Sequence, residues 1–259
     1  ISNVASIDKY ATRKAYIETI PYAGTGNNAA YIKNFYSLGS SETGYTVEFY
    51  YQQLSAAPNS DADGYYPILF SCANQGLYLT PNNCRYKSHM SSLGGSNDIN
   101  YKSVGSMCIR AGSGWGEVHN YVIVNTNKTY VYVACQDGMT VCRLGATKDS
   151  ATEVVTRCYM GTVYSAGASS LMAGTSGNYP QYGRIGEVKV WDNAQVQTEA
   201  TLACDLIPCV LKSTIPDEMW ASSNYTGMNK ANTVGMWDIV NDKFYTSCTP
   251  KVFTAGTSW

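Results

Sequence analysis

Hydrophobic and polar positions along this chain fall into short β-type runs. They are "GYTVEFYYQQL" (residues 44–54), "YPILFSC" (66–72), "GLYLT" (76–80), "SMCIRA" (106–111), "HNYVIVNT" (119–126), "KTYVYVACQ" (128–136), "TVCRLGA" (140–146) and "RIGEVKVWD" (184–192). Gly, Asn, Asp and Ser cluster between them, and almost no stretch repeats its apolar residues every 3.6 positions. Regular strands with turn punctuation predict an all-β, antiparallel β-sandwich in a single domain. Only "DNAQVQTEATLAC" (192–204) is predicted to be helical, and only briefly. Near the end, "VGMWDIVNDKFYTS" (234–247) places two bulky hydrophobic segments around Asn241-Asp242, residues that tolerate the positive φ of tight turns. It reads as a hairpin.

No Pro-rich or low-complexity linker divides the chain, and no fixed-period repeat runs through it. Residues 1–16 are polar and mixed, and are expected to be an entry segment or a joint to an upstream region. Residues 17–259 then form the sandwich. The chain begins at Ile1 rather than Met, and is read as processed or as a fragment of something longer.

Composition narrows the function. Charged residues are only 14% of the 259, against 12% aromatic with 22 tyrosines, so Ser, Thr, Asn, Gln and Tyr must supply most of the polar surface. That mix suits neutral ligands. With a net charge of −1 and no Lys/Arg run, the electrostatic footprint of a nucleic-acid binder is missing. No segment approaches the roughly 18 consecutive apolar residues that span a bilayer, so no membrane insertion is expected.

The nine cysteines are widely spread without a CxxC, and only two histidines accompany them, so a zinc framework has no spacing to support it. Mostly free, buried thiols are expected. An Asp137-Gly138 turn would set Cys135 opposite Thr140 and Cys142 diagonal to Cys135, at roughly 7–8 Å between Cβ atoms. A disulfide needs about 3.5–4.5 Å.

Five segments, "AYIETIPYAGTGNNAAYIKN", "GYTVEFYYQ", "YGRIGEVKVWDN", "DLIPCVLK" and "VGMWDIVNDKFYTSCTPKVFTAG", occur in this order. Together they resemble the concanavalin A-like, laminin-G-like jelly-roll domains of phage structural proteins and gut-bacterial surface proteins. The match is plainest over Tyr182 to Asn193, Asp205 to Cys209 and Gly235 to Gly256. The resemblance implies a jelly roll with a structural closing segment in which Asp238 fixes a turn. Against that pattern, residues 212–233 form an insertion, expected to be a surface loop that makes the chief external contacts.

Candidate chemistry is sparse. Glycoside hydrolysis needs two carboxylates facing each other across a sugar, and no E-x-D-x-x-E run exists. The nearest pairs are Glu187 with Asp192, which odd spacing puts on opposite faces of a strand, and Asp217 with Glu218. His89 and His119 lie in no catalytic setting, so no catalytic residue is assigned and no enzyme is expected. "NSDADG" (59–64) begins like a calcium loop, but Phe70 stands where the bidentate Glu belongs. Because laminin-G-like folds sometimes bind calcium at a loop edge, Asp61 and Asp63 are kept as possible calcium ligands.

Aromatic rings beside amides are the chemistry of sugar recognition. Trp220, Asn224, Tyr225 and Asn229 form one such patch, and Trp115 with Asn120 another. The expected function is a non-enzymatic, lectin-like glycan-binding or adhesion module on a phage particle or bacterial surface, with a surface or mucosal glycan as partner. One alternative is a structural virion protein (capsid decoration, head fibre or tail component) that binds neighbouring subunits, a homo-oligomer and trimeric if a fibre. The other is a jelly-roll glycoside hydrolase.

Overall fold

The computed structural model describes residues 4–19, 32–38, 44–54, 67–72, 75–80, 105–111, 114–122, 128–136, 139–145, 147–149, 152–156, 167–174, 183–221, 227–246 and 253–259. They form a short helix, α1 (Val4–Tyr10), and seventeen strands in two antiparallel sheets.

The larger sheet runs β11 (Thr152–Thr156), β10 (Met139–Gly145), β9 (Thr129–Gln136), β4 (Tyr45–Gln53), β13 (Gly183–Trp191), β14 (Leu202–Leu211), β15 (Val234–Asp238), β16 (Lys243–Thr246). Three further strands join it: β1 (Ala11–Arg13) on β14, β2 (Tyr16–Thr19) on β13, and β17 (Phe253–Gly256) on β2. The smaller sheet runs β3 (Ile32–Leu38), β12 (Gly167–Gly174), β5 (Pro67–Cys72), β6 (Gln75–Thr80), β7 (Gly105–Ala111), β8 (Gly114–Val122). The antiparallel β-sandwich that the strand pattern predicts is the observed fold. Thr140 pairs with Cys135 in the β9–β10 ladder, which is the expected register. The described cysteines Cys204 and Cys209 are buried thiols outside any disulfide.

Alternation explains the packing. In β4, Tyr45, Val47, Phe49 and Tyr51 point inward and are buried; Val47 pairs across with Val133 and Val190, and Phe49 with Val131 and Val188. A bulge in β13 between Ile185 and Val188 lets both residues face this core. Glu187 and Lys189 are then left on the opposite face. Ring contacts join the sheets: Phe35 meets Tyr245 edge-on at 6.4 Å, and Tyr36 lies 6.4 Å from Tyr45.

A second core lies on the outer face of the larger sheet, at its β14–β16 end. Ile7 and Ala11, together with Ile215, cover Cys209, Leu211, Trp237 and Phe244 there, with Tyr10, Ile207, Met219 and Trp220 packed at the margin. Residues 4–13, within the expected entry segment, are thus built into the fold: β1 pairs with β14, and Tyr10 stacks on Trp237.

The closing hairpin forms, with a four-residue loop from Ile239 to Asp242 in place of a two-residue turn. Asp238 fixes it, as the resemblance implies. Its Oδ1 accepts from the backbone N–H of Val240 (3.0 Å), Asn241 (3.3 Å) and Asp205 (3.1 Å), and its Oδ2 from the Asn241 amide (2.6 Å). Asp242 takes the left-handed conformation, φ 53°.

Residues 192–201 are not helical. The Asn193 side chain accepts from the N–H groups of Gln195 and Val196, both at 2.8 Å. Thr201 Oγ1 accepts from Thr198 N–H and donates to the Val196 carbonyl. These side chains take the backbone partners that a helix would need, and a looped conformation wins.

Candidate binding groove on the outer sheet face

Four side chains stand in one row across the outer face of the larger sheet. Tyr132 of β9 pairs with Glu48 of β4, Glu48 with Lys189 of β13, and Lys189 with Asp205 of β14. Glu48 is held by the Tyr130 hydroxyl, which donates to it at 2.8 Å, and by Lys148 at 3.1 Å. Lys189 contacts Glu187 at 3.3 Å. Burial disfavours its charged form, but the charges of Glu187, Asp205 and Glu48 outweigh that and lift its pKa.

Beside this row is a groove of about 540 Å³, lined by Lys189, Trp191, Gln197, Glu199, Asp205 and Ile239, among others. The 192–201 loop forms one wall. It is closed at its base by the Asp192 N–H to Thr201 carbonyl bond (2.8 Å), and is tied to β4 by Thr46, which donates to the Asn193 carbonyl and accepts from Gln197. Ile239 and Val240, in the turn that Asp238 fixes, form the opposite wall.

Asp205 is the unusual residue. It is 5% exposed, and its Oδ1 has no hydrogen-bond donor from the protein. Its neighbour is another carboxyl, Glu187, and two carboxylates give each other no donor. They bond only when one holds a proton. Burial first, then the charge and hydrogen bond of Glu187, push the Asp205 carboxyl up to about 8, despite the opposing pull of Lys189. At neutral pH Asp205 therefore keeps its proton. Burial also raises Asp238, against the stabilising hydrogen bonds that it accepts.

The residues singled out in the sequence lie elsewhere. Trp220 stacks on Phe244 at 5.6 Å and packs against the outer core. The Asn229 side chain accepts from Ile215 N–H and donates to the Ile215 carbonyl, both at 2.9 Å, so its amide is spent on tying the 212–233 segment together. Within that segment Ile215 is buried in the core, while Asn224 and Tyr225 lie outside the described residues. Trp115 and Asn120 belong to β8 of the other sheet, where their side chains lie outside the described set. Asp61 and Asp63 also lie outside it. Among the described residues, no three His, Cys, Asp or Glu side chains converge to hold a metal.

Glu187 and Asp192 do face opposite ways. Glu187 is on the outer face, whereas Asp192 accepts from the Tyr36 hydroxyl of the smaller sheet at 2.9 Å. The carboxyl that meets Glu187 is Asp205, which no local sequence spacing pairs with it. Its only sequence signal is a lone Asp in the otherwise apolar "LACDLIPCVL" strand.

No protein-family model and no curated protein matches the chain. Among solved structures, it is similar to a native heptameric SAP-like pentraxin from Limulus polyphemus, at 12% identity and a TM-score of 0.48, over 95% of this chain and 96% of that one.

Proposed function

We propose that the protein is a non-enzymatic saccharide-binding module, and that its ligand lies in the outer-face groove. The observation that carries this reading is a preformed cleft whose walls are part apolar (Trp191, Leu202, Ile239, Val240) and part polar (Gln197, Thr198, Glu199), above the buried carboxyl of Asp205. Such a mixture suits a sugar's C–H faces and hydroxyls.

Direct contact between Glu187 and Asp205 favours binding over hydrolysis. Retaining glycosidases hold their carboxyls about 5–5.5 Å apart and inverting ones about 6.5–9.5 Å, with the sugar between them. A pair that hydrogen-bonds to itself leaves no such space. Adhesion from a phage particle or bacterial surface is the setting that the resemblance of the closing segments implies. A virion protein that grips neighbouring subunits through Trp220 is the weaker alternative, since that ring already packs on Phe244.

The test is a glycan array followed by calorimetry, with a Glu199→Ala variant. Glu199 is exposed at the groove, so its loss should spare the fold while weakening binding several-fold. Failure to bind any glycan, or binding indifferent to groove substitutions, overturns the proposal.

A further inference from the structure

The groove contains a polar atom that nothing in the protein satisfies. Asp205 Oδ1 is buried and accepts from no protein donor, and Asp205 is part of the groove lining. Unpaired buried acceptors are uncommon in folded proteins and call for an explanation. The backbone that carries this carboxyl is held on both sides. The backbone N–H of Asp205 donates to Asp238 Oδ1 at 3.1 Å, and its carbonyl accepts from Ile239 N–H at 3.0 Å.

The charges around it do not balance. Lys189 is drawn to Glu187 at 3.3 Å, and Lys148 to Glu48 at 3.1 Å, which leaves each of those pairs close to neutral. Of the groove lining, Glu199 remains, and Asp205 joins it once it ionises, with no further cation to offset them. The cleft therefore carries net negative charge, and one buried acceptor of its lining lacks a donor. An anionic sugar would be repelled there. A ligand group with several N–H donors and a positive charge would meet both needs.

Resting on the reading of this groove as a saccharide site, we propose that it selects a saccharide bearing a free, protonated primary amine, whose ammonium donates to Asp205 and Glu187. No covalent bond changes. The ammonium donates to the two carboxylates, and the displaced proton leaves to solvent. The raised pKa of Asp205 agrees with this, since a held proton must be released before both carboxylates can accept. Acetylation of the amine removes the charge and two donors, so it should abolish the advantage.

The experiment is calorimetry at pH 7 with a glucosamine oligomer and the matching N-acetylglucosamine oligomer, each in two buffers of different ionisation enthalpy. The amino form should bind about tenfold tighter or more, the gain expected of a charge-assisted hydrogen bond. It should also release about one proton, as one carboxyl of the pair ionises. Asp205→Asn should remove both the preference and the proton release. Glu187→Gln, at an exposed position, should reduce both, and guards against a folding defect in the first variant.

Equal affinity for the two oligomers, with Glu199→Ala weakening both, would refute the amine selectivity and leave the saccharide site standing. Binding of neither oligomer, nor of any array glycan, would overturn the underlying site. A preference for the amino form that survives Asp205→Asn would mean diffuse charge attraction, and would refute the proposal as well.

Discussion

Asp205 couples the stability of the protein to pH with a sign opposite to that of most acidic residues. In the fold its carboxyl keeps a proton up to about pH 8, whereas in the unfolded chain it ionises near 4. Between those values the folded state binds more protons. The contribution is therefore complete below about pH 4 and is lost as pH rises through about 8. Asp238, also raised, acts in the same direction. Replacing Asp205 with Asn removes its share of the slope, because the amide never ionises. Urea midpoints at about pH 5, 7 and 9 should show the variant gaining on the native protein as pH rises; parallel curves would mean that Asp205 is ionised throughout.

At the scale of elements, the 192–201 loop and the strands around it show what was legible in the sequence. Strands β4, β9, β10 and β13 were readable because their apolar and β-branched residues leave little choice, and the closing hairpin because Asn241-Asp242 interrupts one such run. The loop reads as helical from sequence, since "AQVQTEAT" has good helix formers and hides the capture of its backbone by Asn193 and Thr201. Helix α1 leaves no trace in the pattern, because seven residues carry too little periodicity to show. The site was illegible for a related reason: Glu187 meets Asp205 through the register of two strands and a bulge that no linear pattern records. Thr201→Val should separate loop shape from fold. Losing these surface hydrogen bonds should cost about 1 kcal/mol, while amide exchange at Thr198 quickens and groove affinity falls. Unchanged exchange would show that other contacts hold the loop.

For the whole molecule, the larger sheet is buried on both faces at its β14–β16 end and open on its outer face where the groove lies. The outer core is small, yet Ile7 and Trp237 within it are fully buried. Ile7→Ala should therefore cost about 2–5 kcal/mol, as deletion of a fully packed aliphatic side chain does. Chemical denaturation measures this directly, and a loss below about 1 kcal/mol would mean that α1 is only loosely seated. Because Ile239 belongs to both the outer core and the groove wall, the same variant should also weaken ligand binding.

The outer core also sets an order on biosynthesis. Ile7 and Ala11 leave the ribosome long before the surfaces that cover them, from Ile207 to Phe244. At roughly 5–20 residues per second, the apolar face of α1 waits on the order of 10–50 s for its partners. During that interval the nascent chain presents a bare hydrophobic helix to any chaperone at the tunnel exit. Completion of β16 is the event that hides it.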